Sequence, residues 1–468
     1  MSIDKEAIER WYAGREDELI DAVSRLVRID STLGPAEPGK PFGPGPAAAL
    51  DEALALAREW GLTAEGLEGY VGVVDLGDGP TELHILGHLD VVPPGEGWTV
   101  TEAFTPRLVD GLLYGRGTDD DKGPMAAVLL AMRAVKELGT PLRRSVRAIL
   151  GTDEETGFRD IHWYYERHPY APCTFSPDAG FPILNIEKGH YQPTLRASWQ
   201  GETALPRVTA AQGGVRVNVV PAKATATVAG LDAAAVRAAA DALALGPAIQ
   251  FAVTEGPDGV QLVCSGQPTH ASTPEEGHNA QTALVALLAA LPLADCASTR
   301  AIRALARWFP HGDHTGAALG IAQRDDLSGN LSLAFTCLAL DADGVTARFD
   351  ARTPLCGSDE SIRLPVERTL GADGLTVSGT IDPPHHVPAD SPFLRTLARC
   401  YEEWTGLESS CRAIGGGTYV HGIPGGVAFG ASMPGFVSNL HSPDERVCVA
   451  DLLTASKIFA QVILDVCS

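Results

Sequence analysis

Apolar positions near the start of the chain recur at helical spacing. Ile8, Trp11, Leu19, Ile20, Val23 and Leu26 predict one amphipathic helix over 4–28. A Gly/Pro-rich loop follows at 33–46, then an Ala/Leu-faced helix over 47–60 that stops at Gly61. Short apolar runs bounded by turn residues, at 70–76, 81–87 and 147–151, predict strands. Met125, Val128, Leu129, Met132 and Val135 share one face of a predicted helix over 124–138. Strands alternating with helices predict an α/β fold whose mixed, mostly parallel sheet is flanked by helices.

The pattern changes near residue 190. Segments 191–199, 214–220, 223–229 and 345–352 alternate apolar and polar residues, as half-buried strands do. Ala-rich helices at 232–245 and 279–291 lie between them, an α+β signature. From about 385 the chain returns to a helix (391–405), a glycine cluster and an apolar strand (427–430). The expected organisation is one discontinuous α/β domain, 1–189 and 385–468, interrupted by an α+β insertion over 190–384.

Composition narrows the class. A chain of 468 residues suggests two to four domains at ~100–200 residues each. With 36 basic and 59 acidic residues the formal net charge is −23, which disfavours nucleic acid and anionic membranes as partners. A hydrophobic content of 45% excludes a disordered acidic chain. The nine cysteines form no CxxC pair and are odd in number, which fits reduced thiols in a cytosol. The charged N-terminus has no apolar signal core, and no apolar run approaches the ~20 residues of a membrane helix.

Candidate chemistry lies where predicted strands end. The clusters are LHILGHLD (83–90), YGRGTDDDKG (114–123), ILGTDEETG (149–157), SPDAG (176–180) and, far away, NLHSPDE (439–445). In an open α/β sheet the carboxyl ends of neighbouring strands converge on one crevice. Imidazoles and carboxylates gathered there repel one another unless a cation lies among them. His and carboxylate donors without thiolate suit Zn²⁺, with Mn²⁺ or Co²⁺ as alternatives. Taken singly, each has an ordinary reading: His84 as a satisfied core residue, Asp119–Asp121 as a solvated turn, Glu154-Glu155 as surface. Their joint occurrence, after apolar runs and before glycines, favours a metal site. No GxSxG elbow or Walker A pattern occurs, and Gly115-x-Gly117 is too short for a dinucleotide loop.

In GHLDVVPPGEGW (87–98), LYGRGTDDDKGP (113–124), TDEETG (152–157), SPDAGFP (176–182), GQPTHASTPEEGHNA (266–280), GGGTY (415–419) and HSPDE (441–445), the chain resembles the aminoacylase/carboxypeptidase G/desuccinylase/carnosinase family of dinuclear metallohydrolases. DDKGP, RVNVVP (216–221), FDARTP (349–354) and GGGTY are most similar to its bacterial PepV/Sapep dipeptidase branch. The resemblance implies a zinc exopeptidase-like catalytic domain with an inserted lid over 190–384, two Zn²⁺ (Mn²⁺ or Co²⁺ as alternatives) and hydrolysis of short unblocked peptides.

It also implies residue roles. Asp120 would bridge the two ions, with a cis peptide following it. His88 and Asp178 would complete one site, Glu155 and His441 the other. Asp90 would hold His88 by its second ring nitrogen, and Glu154 would be the general base for a metal-bridging water. His270 would donate to the oxyanion. Asn218 and Arg352 would contact substrate, Arg352 by gripping a carboxylate with both prongs. Backbone N–H groups of Gly415, Gly416, Gly417 and Thr418 would form an anion nest. After GGGTY the chain reads Val420-His421, where many relatives have a small residue and then Arg, so side-chain preference stays open. The alternatives are an N-acyl (acetyl or succinyl) amino acid deacylase and a non-catalytic metal-binding relative. A long insertion favours a monomer over a homodimer. Only five acidic residues (Asp90, Asp120, Glu154, Glu155 and Asp178) are thereby given chemistry; the remaining acidity is expected at the surface.

Overall fold

Four apolar runs pair in parallel at the centre of the first sheet, in the spatial order Ser145–Gly151, Thr81–His88, Cys173–Ser176 and Gly426–Ala428. In Thr81–His88 the residues Leu83, Ile85 and Leu86 are all buried. Such a near-continuous apolar run is what a strand covered on both faces requires. Antiparallel strands extend the sheet: Val71–Leu76 and Thr63–Leu67 on one side, Ile183–Glu187 on the other. The mixed α/β sheet matches the expected class, with parallel pairing at its four central strands and antiparallel pairing on both sides of them. The structure is a computed structural model and describes residues 5–468.

Helix Lys122–Leu138 joins Thr81–His88 to its parallel neighbour Ser145–Gly151. Every residue from Lys122 to Met132 is buried, so this helix is enclosed by the core rather than lying on it. It packs against helix Val449–Cys467 and ends at Gly139, whose φ of 68° suits a left-handed cap. The single helix expected over 4–28 is two, Lys5–Tyr12 and Glu16–Val27, with Gly14 at φ 78° between them. Residue 4 lies outside the described residues. Both halves share one apolar stripe, so spacing alone does not reveal the break.

The chain divides into two units. The first runs through Ile186 and resumes over His386–Arg412 and Gly417–Ser468. The second comprises Glu187–His385 together with Ala413–Gly416. That last short return was expected in the first domain. Its backbone is tied to the second unit by the Lys188 amide, which donates to the Ile414 carbonyl at 2.9 Å.

The second unit is built on an antiparallel sheet in the order Gln250–Gly256, Gly259–Ser265, Lys223–Ala229, Arg207–Gly213, Ser332–Leu340, Gly344–Thr353, Thr194–Ser198, Thr376–Ser378. Lys223–Ala229 shows the expected alternation, with Ala224, Ala226 and Val228 inward. Helices Ala233–Leu243, Ala280–Ala290 and Ala297–Trp308 contribute to the same separate core. The strand expected at 214–220 is instead a turn, following strand Arg207–Gly213. Val215, Val217 and Val219 imitate strand alternation, yet Val215 is 91% exposed. Gly214 turns the chain at φ 63°, where a Cβ would strike the Thr336 carbonyl. All nine cysteines are free thiols. Among the described residues, no helix is long and apolar enough to cross a membrane.

Candidate metal centre

The parallel strands deliver their polar residues at their carboxyl ends. His88 ends Thr81–His88, Glu154 and Glu155 follow Ser145–Gly151, and Asp178 follows Cys173–Ser176. Asp120 lies just before helix Lys122–Leu138, and the Asp120–Asp121 peptide is cis. His441 comes from a loop in which Asn439, His441 and Asp444 all adopt positive φ, a backbone that functional loops hold in place by packing around it.

Asp120 is the centre of the cluster. Its Oδ1 lies 2.9 Å from His88 Nε2, and its Oδ2 lies 2.7 Å from His441 Nε2. Asp178 Oδ2 is 3.7 Å from the same His88 nitrogen, and Glu155 Oε1 is 3.2 Å from the same His441 nitrogen. Two imidazoles thus share one carboxylate, each with a second carboxylate beside it. Candidate ligand atoms of His88, Asp120 and Glu155 lie within 4.8 Å of one another, as do those of His88, Glu154 and Asp178.

The donor set fits divalent cations. His88 Nδ1 faces the Asp90 main-chain carbonyl at 2.9 Å, so that nitrogen carries the proton of a neutral ring. The buried Nε2 then presents a lone pair toward Asp120 and has no hydrogen-bond partner. Two acceptors in such contact need a proton or a metal cation between them. Glu155 Oε1 is likewise buried without a hydrogen bond.

Electrostatics point the same way. Burial, and after it the charge of Asp120, push Asp178 up to about 7. Burial pushes Glu154 well above the carboxylate range, with Asp178, Glu155 and Asp120 adding to it against His88. Burial lowers the proton affinity of His441, but Asp120 and Glu155 outweigh it and raise the ring to about 10. Burial likewise opposes protonation of His88, and its carboxylate neighbours again prevail. These imidazoles hold protons where cations would otherwise supply the positive charge.

Other carboxylates fix the loops. Asp90 was expected to hold His88 with its side chain. Instead its carbonyl does so, and its carboxylate, 3.5 Å from Nδ1, accepts the amides of Glu154 and Glu155 at 3.1 Å each. Glu445 Oε1 accepts the amides of Gly117, Asp119 and Asp120, and its Oε2 pairs with the buried Arg116. Asp160 accepts the amides of Thr152 and Asp153 and the hydroxyl of Tyr419. Glu445 and Tyr419 stand in the motifs HSPDE and GGGTY, but neither was given a role from sequence. Asp160 carried no sequence signal at all. Asp121, Asp153, Asp160, Glu187, Asp350 and Glu445 are buried as well, while most of the acidic residues lie at least partly exposed, as expected. His84 is the satisfied core residue expected, with Nδ1 3.0 Å from the Tyr165 hydroxyl.

Within the second unit, His270 and Asn218 lie on neighbouring segments, joined by the Ala271 amide donating to the Asn218 carbonyl at 2.9 Å. The Ser272 amide donates to His270 Nδ1 at 3.2 Å, which leaves Nε2 as the protonated nitrogen of the neutral ring. Arg352 is buried and its fork is taken: Nε and Nη2 bind the two oxygens of Asp350 at 2.7 and 2.8 Å. Its Nη1 donates to the Gly415 carbonyl at 2.6 Å and meets His190 Nε2 at 2.8 Å. The two-pronged grip on a substrate carboxylate is therefore not available; Arg352 holds the backbone of Gly415 instead. None of Gly415, Gly416 and Gly417 has positive φ, so the alternating-handed nest is not formed. Gly417 and Thr418 belong to the first unit, where the Thr418 carbonyl accepts the His421 amide.

The family model described as "Peptidase family M20/M25/M40" matches residues 84–465. "Putative dipeptidase YtjP" of Bacillus subtilis (strain 168) is 34% identical over 458 residues, covering 96% of this chain and 97% of its own. The Beta-Ala-Xaa dipeptidase of Lactobacillus delbrueckii subsp. lactis is 32% identical over 461 residues, covering 96% of each. The crystal structure of human carnosine dipeptidase 1 shares the fold with a TM-score of 0.63, at 16% identity over 99% of this chain and 98% of that one.

Proposed function

The chain belongs to peptidase family M20/M25/M40, and on that premise we propose how this metal-dependent dipeptidase works. It is a peptide-bond hydrolase, and its substrates are small peptides. The observation that carries the site assignment is the sharing of Asp120 between His88 and His441. His88, Asp120 and Asp178 would hold one ion, and Asp120, Glu155 and His441 the other, with Zn²⁺ the natural choice for this donor set and Mn²⁺ or Co²⁺ able to replace it. When bound, such ions would supply Lewis acidity for the scissile carbonyl and would make water acidic enough to ionise near neutral pH.

Glu154 takes the proton of the attacking water and returns it to the leaving amine. Its amide is fixed on Asp90, so the side chain is aimed by its own backbone. Nε2–H of His270 donates to the oxygen that becomes negative, a role supported by the tautomer that Ser272 imposes. Asn218 contacts substrate, and Arg352 shapes the Gly415 backbone. The protein works in the cytoplasm as a monomer, with the second unit as a lid; reduced thiols and the long insertion support this.

A panel of Ala-Ala, β-Ala-His and N-acetyl and N-succinyl amino acids, each assayed with Zn²⁺, Mn²⁺ and Co²⁺, tests the reading. Unblocked dipeptides are expected to turn over. Hydrolysis of the acylated compounds alone would overturn it in favour of a deacylase.

A further inference from the structure

We infer that Tyr419 and Asp160 act together as positioning residues that hold the Glu154–Glu155 segment in its working conformation. The inference rests on Glu154 being the base, as read above. Tyr419 is 1% exposed and its hydroxyl donates to Asp160 Oδ2. The same oxygen accepts the amides of Thr152 at 2.6 Å and Asp153 at 3.0 Å. Oδ1 of Asp160 accepts the Ile161 amide at 2.6 Å. Asp90 takes the next two amides, those of Glu154 and Glu155. Four successive N–H groups, from 152 to 155, therefore end on two carboxylates, and Tyr419 adds an O–H to the first of them.

That arrangement does more than bury a phenol. The tyrosine ring also stands edge-on to the His88 imidazole, with centroids 6.2 Å apart, and edge-on to Phe158 at 5.3 Å. One side chain thus touches a metal-side imidazole and the anchor of the base segment. Strand Ser145–Gly151 ends in a residue that makes room for it, since a Cβ on Gly151 would collide with the Tyr419 hydroxyl. Neither Tyr419 nor Asp160 belongs to the metal-ligating set, so their influence on the reaction passes through backbone geometry. Outer residues of this kind govern how well inner ones are aimed.

Tyr12 provides an internal control. It is equally buried, and its hydroxyl lies 2.7 Å from Ser456 Oγ, between two helices of the core. Tyr12→Phe and Tyr419→Phe each remove one buried hydroxyl and keep the ring. The measurement is kcat and KM on the best amide of the panel, with bound metal determined in the same samples. Tyr419→Phe is expected to lower kcat at least ~10-fold, with KM within ~2-fold and both metals retained. Tyr12→Phe is expected to lower the thermal midpoint but keep kcat within ~2-fold. Tyr419→Phe in an Asp160→Asn background is expected to cost little more, because the two act as one unit.

Equal kcat for the two Phe variants would overturn the inference, as would a loss in Tyr419→Phe that excess metal restores. The underlying reading fails separately, through a Glu154→Ala variant that keeps turnover. An enzyme that cleaves only acylated substrates would still allow the Tyr419 and Tyr12 variants to be compared.

Discussion

In the first unit, buried carboxylates end on backbone amides; in the second, the two candidate side chains are exposed outside an antiparallel sheet with its own core, Asn218 on a turn and His270 on a segment bridged to Val219. Asp90, Asp160 and Glu445 each gather two or more N–H groups, and so fix the segments that carry Glu154, Glu155 and Asp120. A carboxylate that accepts several amides is a stiff restraint, because each charge-assisted bond is stronger than a neutral one. The second unit's buried pair, Arg352 and Asp350, engages the Gly415 carbonyl and the side chains of His190 and Gln192. The candidate base and ligands of the first unit thus follow caged strand ends, whereas the candidate side chains of the second unit sit on exposed loop segments of a stable scaffold.

The sharpest way to break this contrast is Glu154→Ala. Loss of a general base is expected to lower kcat by about 10³-fold while both metals stay bound. Metal analysis beside kinetics checks it, and metal loss would mean that base and ligand are exchanged. Next, Arg116→Ala leaves the Glu445 carboxylate buried without its partner, a change that costs about 3–5 kcal/mol of stability. Thermal and denaturant unfolding would show it, with a weakened metal site following from release of the Asp120 segment. In the second unit, His270→Ala is expected to lower kcat about 100-fold with metal content unchanged.

A pH experiment on chelator-treated protein sharpens the comparison further. Burial raises Asp178 to about 7, Asp160 to about 6 and Glu445 to about 7 in the folded state. The folded protein therefore binds these protons more tightly than the unfolded chain. Their contribution is present at low pH and is lost as pH rises from about 4 through 7. The raised His441 acts in the same direction above its ordinary value, up to about 10. The thermal midpoint is expected to be lower at pH 7.5 than at pH 5 without metal, and added Zn²⁺ should reverse the trend. The smallest effect belongs to Asn279→Ala. That side chain caps helix Ala280–Ala290 through the amides of Gln281 and Thr282 and donates to the Phe335 carbonyl. Its loss should cost about 2 kcal/mol of stability and leave kcat and metal content unchanged.

Elements whose burial has a simple period were legible in the chain. Strand 81–87 is observed as Thr81–His88, strand 223–229 as Lys223–Ala229, and helix 124–138 as Lys122–Leu138. Reversals of direction were not. Gly14 divides one apolar stripe between two helices, and the valines of 214–220 alternate on a turn. The hairpin Gln250–Gly256/Gly259–Ser265 and helix Ala297–Trp308 went unnoticed, the first because its burial is weak on one strand. Periodicity reports which side is buried; it says little about where a chain turns.

The sequence by itself determined the chemical vocabulary of the site: which imidazoles and carboxylates exist, and that they follow apolar runs which become parallel strands ending together. Tertiary structure alone decided what each polar atom faces. It gave the carboxylate of Asp90 to two amides and the fork of Arg352 to Asp350. It set Tyr419 on Asp160 across 259 residues of chain, and Glu445 on the amide of Gly117 across 328. The physical reason is one of range. Burial patterns are written locally, by the period of helix and strand, whereas a hydrogen bond depends on a few tenths of an ångström between segments that only the packed fold brings together.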